Sequence, residues 1–134
     1  MAKGTIYIDD GETFNYRDKN EKTYMEFEFD GDKLNVNSLL KDSYYSQASQ
    51  IKISEINIYG ISEQPKNIRN IYEQSKTGES TLKYTYNKSE RSLLITNIEI
   101  PIDDGSRGSE SGIELILIEY EAEKKESYFS FFSS

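Results

Sequence analysis

Cysteine and histidine are both absent from this 134-residue sequence, and proline occurs only twice. Without cysteine there is no disulfide framework, no thiol nucleophile and no zinc-finger site, and the redox compartment is left open. Without histidine the commonest general base and the commonest transition-metal ligand are gone. Any chemistry would fall to Asp, Glu, Lys, Tyr, Ser or Thr. Two prolines are too few for a proline-rich linker. No run approaches the roughly 20 apolar residues of a membrane helix. Met1-Ala2-Lys3-Gly4 leads into no apolar stretch of the kind a signal peptide needs. Basic residues are also in deficit: 16 against 24 acids, for a net charge of -8. Phosphate backbones demand a basic footprint, so nucleic acid is not expected as a partner, and the missing apolar run argues against a membrane.

What is present is β-forming. Eleven tyrosines and abundant isoleucine suit strands. The chain is long enough for one domain with a core of its own. Alternation with period two is the dominant signal. In residues 23–29, Met25, Phe27 and Phe29 share one parity, and Tyr24, Glu26 and Glu28 the other. Successive strand side chains point to opposite faces, so this reads as a half-buried strand. Gly31-Asp32 turns the chain, and Leu34 and Val36 resume the pattern. Residues 5–8 read as a strand entering a turn at Asp9-Asp10-Gly11, where aspartate caps and glycine accepts positive φ.

Further along, residues 38–50 read as a polar loop with at most one helical turn. Residues 50–59 read as one strand whose phase changes between Ile51/Ile53 and Ile56/Ile58, implying a bulge near Ser54-Glu55. Residues 62–78 would fit a short helix after Pro65, but a strand from about Asn67 fits the β context better. Residues 81–86 and 91–95 flank a hairpin loop at 87–90. A strand over 98–102 runs into a loop over 103–112. The last strand, 112–120, is apolar on both faces, with Leu115 and Leu117 against Ile116 and Ile118. A strand apolar on both faces is covered on both. One sandwich core covers one face, so Ile116 and Ile118 are expected to need a neighbouring domain. The fold class is therefore all-β, an antiparallel two-sheet sandwich of about eight strands over residues 1–122. A charged, then aromatic and serine-rich tail follows over 123–134.

Asp9, Asp10 and Glu12 invite a glycosidase or metal reading. A retaining glycosidase needs carboxyls about 5–5.5 Å apart across a sugar cleft, and nothing here supplies the opposing wall. Calcium loops place oxygen ligands at alternate positions, which Asp10-Gly11-Glu12 does not do. A turn is the better reading, for Asp9-Asp10-Gly11 and for its echo Asp103-Asp104-Gly105. No cofactor or metal is expected. The aromatics Tyr7, Phe14, Tyr16, Tyr24, Tyr44, Tyr45, Tyr84 and Tyr86 could stack on sugars, which would make the chain a free-standing carbohydrate-binding module. Tyrosine is equally an ordinary strand residue. Asn87-Lys88-Ser89 is an N-glycosylation acceptor sequence in an expected exposed turn.

One segment carries a resemblance: Gly4-Thr5-Ile6-Tyr7-Ile8-Asp9-Asp10-Gly11-Glu12-Thr13-Phe14-Asn15-Tyr16. It resembles the opening of the distal C-terminal β-sandwich of glycoside hydrolase family 31, where a strand runs into Asp-Asp-Gly, then Ser or Thr, then Tyr. Asp9, Asp10, Gly11, Thr13 and Tyr16 match. The wording is most similar to the glucosidase II α-subunit branch of that family. Phe27-Glu28-Phe29-Asp30-Gly31-Asp32-Lys33-Leu34, residues 56–60 with Pro65 and Ile68, and Leu93-Leu94-Ile95 resemble later parts of the same domain. Residues 38–50 and the tail have no counterpart in it. The resemblance implies a parent α-glucosidase that trims N-glycans by a retaining mechanism in the endoplasmic reticulum lumen. Its catalytic aspartates belong to an upstream (β/α)₈ barrel, which takes about 250 residues and cannot lie within this chain. No catalytic residue carries over. The implied partners are that barrel and a glucosidase β subunit.

Overall fold

Strands such as Lys83–Asn87 and Ser92–Thr96 alternate in burial as they alternate in sequence, and two main sheets with a short ribbon result. The computed structural model describes residues 1–78, 81–107 and 112–121. Among these the strands are β1 (Ala2–Ile8), β2 (Thr23–Asp30), β3 (Lys33–Ser38), β4 (Lys52–Ile53), β5 (Ile56–Tyr59), β6 (Asn67–Asn70), β7 (Lys83–Asn87), β8 (Ser92–Thr96), β9 (Ile100–Pro101) and β10 (Ile113–Glu119). Helical turns are few: α1 (Asn15–Asp18), α2 (Ile71–Thr77) and one 3₁₀ turn at Ser46–Gln50. A five-stranded sheet runs β1-β2-β3-β10-β6, a three-stranded sheet runs β5-β8-β7, and β4-β9 form a short ribbon. Every pairing is antiparallel.

One apolar core joins the sheets. Met25, Val36, Ile68, Leu115, Ile116 and Ile118 come from the larger sheet, and Leu93 and Ile95 from the smaller. Phe27, Phe29, Ile56, Ile58, Tyr84 and Tyr86 pack around them. This is the all-β sandwich the alternation implied.

The isoleucines of β10 correct one expectation. Ile116 is 0% exposed and Ile118 2%, both within the core cluster, so neither presents a docking face. The reason is a bulge. Ile113 pairs with Val36 and Glu114 with Asn35, yet Ile116 pairs with Leu34, leaving Leu115 as the extra residue. A bulge residue resets which parity faces inward. Leu115 points into the core before the reset, and Ile116 and Ile118 do so after it. Strand β10 is also central, flanked by β3 and β6, and α2 packs against it.

Two other expectations change. Residues 50–59 form two strands, not one bulged strand. Ile53 pairs with Ile100 in the ribbon, whereas Ile56 pairs with Ile95 in the three-stranded sheet. The phase change at Ser54-Glu55 is therefore a crossing between sheets, and it helps raise the strand number from about eight to ten among the described residues. Residues 62–78 contain both elements that competed for them. Strand β6 ends at Asn70, whose side chain accepts the Glu73 N–H at 2.9 Å and donates to its carboxylate at 3.0 Å, starting α2. The first bond is an asparagine N-cap, and the second ties the two side chains together.

Truncating Ile116 to alanine should cost about 2–5 kcal/mol, the range for deleting a fully buried aliphatic side chain. Equilibrium urea unfolding measures this. A loss below about 0.5 kcal/mol, typical of surface positions, would contradict the inward placement.

Candidate functional site

Two aspartate pairs of like sequence form turns of like geometry. In the first, the Gly11 N–H donates to Asp9 Oδ1 at 2.7 Å, and the Glu12 and Thr13 N–H groups donate to Asp10 Oδ1 at 3.0 Å. The Thr13 hydroxyl donates to Asp10 Oδ2, and Thr13 Oγ1 in turn accepts the Asn15 N–H at 3.2 Å, at the start of α1. The Tyr7 hydroxyl donates to Asp9 Oδ2 at 2.9 Å. Gly11 has φ +71, the left-handed region that a Cβ disfavours. Tyr16 follows in α1, half-buried, with its ring 6.2 Å from that of Phe14.

Both carboxylates are thus committed to the turn. The Asp10 carboxyl sits below its ordinary pKa, chiefly because of the Thr13 hydroxyl and then the two backbone N–H groups. A carboxyl held ionised is the wrong state for a general acid. Among the described residues no group of three or more acids is placed to hold a metal ion.

The echo at Asp103-Asp104-Gly105 repeats the bonding: the Gly105 N–H to Asp103 at 2.9 Å and the Ser106 N–H to Asp104 at 2.8 Å, with Gly105 at φ +87. Its setting differs. Asp103 is 1% exposed. It accepts from the Thr23 hydroxyl at 2.9 Å and from both terminal nitrogens of Arg107, at 2.8 and 3.2 Å. Arg107 also donates to the Ser43 carbonyl at 2.6 Å, and Thr23 Oγ1 accepts the Tyr45 N–H at 3.0 Å. Next door the Tyr72 hydroxyl donates to Asp104 at 2.6 Å, and Lys76 lies 3.9 Å from the same oxygen. Burial, then the bond and charge of Asp104, push the Tyr72 hydroxyl far above the usual tyrosine range. For Asp104 burial is the largest single influence and raises its pKa. The bonds from Tyr72 and Ser106 with the charge of Lys76 together outweigh it and lower the pKa.

The eight aromatics singled out from sequence do not share one face. Tyr7 and Tyr24 meet edge to face at 5.9 Å across β1 and β2. Tyr84 and Tyr86 pack inward against the core, and the Tyr86 hydroxyl donates to the Ile61 carbonyl at 2.7 Å. Tyr44 lies beside Arg107, 5.7 Å from guanidinium to ring centre. Tyr45 is half-buried above Thr23. An open cleft of about 590 Å³ does exist, between Phe29, Tyr59, Glu63 and Tyr120, but none of those rings belonged to the set. Asn87 is exposed at the end of β7. The tail over 123–134 lies outside the described residues.

Sequence reasoning missed Arg107, Thr23 and Tyr72. Their partners lie 4, 80 and 32 positions away, and no local pattern marks the two distant pairs. No protein-family model matches the chain, and no curated protein matches it either.

Gly11→Ala should destabilise by about 1 kcal/mol through backbone strain alone, because nothing stands within 4 Å of the added Cβ. An unchanged thermal melt would remove the turn's need for glycine. The Asp104 contribution has a definite sign. Its folded pKa is depressed, so it stabilises above the unfolded carboxylate value of about 3.9 and fades as pH falls through the folded value. Tyr72→Phe should therefore flatten the loss of melting temperature below pH ~4 relative to wild type. Parallel pH profiles would show that Tyr72 does not hold Asp104 ionised.

Proposed function

We propose that this chain is a non-catalytic β-sandwich domain of a family 31 α-glucosidase, of the glucosidase II α-subunit kind. In that reading the parent enzyme trims α-linked glucose from N-glycans in the endoplasmic reticulum lumen. The observation that carries the proposal is the turn at residues 9–13. Asp9, Asp10, Gly11 and Thr13, four of the five residues of the resemblance, each hold the backbone of one turn at the end of an edge strand. A motif whose side-chain oxygens are all engaged by neighbouring backbone N–H groups and hydroxyls suits a framework role. Catalysis then belongs to a barrel elsewhere in the same polypeptide, and a glucosidase β subunit is a candidate partner.

The purified 134-residue chain should release no p-nitrophenol from p-nitrophenyl α-glucoside, and the open reading frame should encode a (β/α)₈ barrel immediately upstream. Activity that survives repurification would end the non-catalytic reading. An open reading frame without a barrel would end the parentage.

A further inference from the structure

Hairpin β7–β8 presents the acceptor sequence Asn87-Lys88-Ser89 in a form that the function proposed above does not use. Along β7 the exposed residues are Lys83, Thr85 and Asn87, while Tyr84 and Tyr86 pack inward, so Asn87 stands on the outer face of the three-stranded sheet. It pairs with Ser92 at the mouth of the turn over residues 88–91. Asn87 Oδ1 accepts the Ser89 hydroxyl at 2.8 Å and the Glu90 N–H at 3.2 Å. A backbone N–H can be accepted only by the amide oxygen, so this bond fixes which end of the amide faces the turn. Nδ2 is left on the solvent side, with no bond to any described residue.

We propose that Asn87 is an N-glycan acceptor, and that the outer face of the β5-β8-β7 sheet consequently stays in solvent. The chemistry is a glycosyl transfer from a lipid-pyrophosphate-linked oligosaccharide, catalysed by the host's transferase. A bond forms between Asn87 Nδ2 and the anomeric carbon, and the bond from that carbon to the phosphate oxygen breaks. Nδ2 loses one proton and the lipid pyrophosphate departs. A glycan attached here leads away from the core, over a face whose other exposed residues include Asn57, Tyr59, Lys83 and Thr85. Apart from the Tyr59 ring, 73% exposed, those residues are polar or charged and suit sugar and water.

The proposal rests on the luminal setting of the proposed function, and the test supplies that setting independently. The full 134-residue chain is secreted from a eukaryotic cell behind a signal peptide, and its intact mass is read before and after endoglycosidase treatment. Wild type should carry one glycan that the enzyme removes. Asn87→Gln and Ser89→Ala should abolish it, and Ser89→Thr, which keeps the hydroxyl, should retain it. An unmodified wild type beside a glycosylated control protein from the same cells would overturn the proposal. So would a mass shift that persists in Asn87→Gln. Because the setting is imposed, neither result depends on whether a barrel is encoded upstream.

Discussion

A carboxylate taken out of water must be matched by donors, and the Asp103 side chain is fully buried. Leaving such a charge unpaired costs several kcal/mol, so the site exists only when its donors arrive together. They come from a β2 threonine, from Gly105 of its own turn and from Arg107. Arg107 and Thr23 each reach one step further, to Ser43 and to Tyr45. The long polar stretch after β3 is thereby fixed to the loop before β10. Beside it, Asp104 ties that loop to α2 through Tyr72 and Lys76. No buried side-chain polar atom among the described residues lacks a partner, which is the condition under which such a network adds order and not strain.

The apolar core and this polar cluster meet at β10. The bulge at Leu115 lets one strand contribute Leu115, Ile116 and Ile118 to the same interior. Two adjacent residues, Leu115 and Ile116, can share one side of a strand only where the pleat is interrupted. The bulge thus explains an apolar strand that otherwise demands cover on two faces. It places the need for cover inside the domain.

How much was legible follows from how local each signal is. The strand at 23–29, its turn at Gly31 and the hairpin around residues 87–90 were readable because alternation and turn chemistry act within a few residues. The turn at Asp9-Asp10-Gly11 was readable for the same reason, and its echo repeats the bonds from each aspartate to the N–H two residues on. The bulge was not readable, since register depends on the neighbouring strand. A phase change at Ser54-Glu55 looked like a bulge for the converse reason: a crossing between sheets and an inserted residue leave the same mark on one chain. The Asp103 cluster was invisible because Thr23 lies 80 positions away. Tyr84 and Tyr86, singled out as rings that could stack on sugars, turn inward, each with its polar tip on a backbone carbonyl.

With Ile116 and Ile118 inside, the parentage proposed above requires a different surface on which to pack. Across β1, β2 and the end of β3, Tyr7 pairs with Tyr24, and the Leu39 N–H donates to the Tyr24 carbonyl at 2.8 Å. Ile6, Ile8 and Met25 point inward between them, so Tyr7, Tyr24 and Leu39 form a row on the outer face of the five-stranded sheet. Tyr7 remains 48% exposed and Leu39 42%. Asn87 stands on the outer face of the other sheet, the opposite side of the sandwich. Under the two proposals above, a glycan stands on one outer face and a partly exposed apolar row on the other. The Asp9 turn adjoins that row, joined to it by the Tyr7 hydroxyl. Under the proposed parentage, that row and its turn are the surface offered to the barrel. Such a surface tolerates little drift in backbone position, which gives a self-capped turn at the end of an edge strand its use.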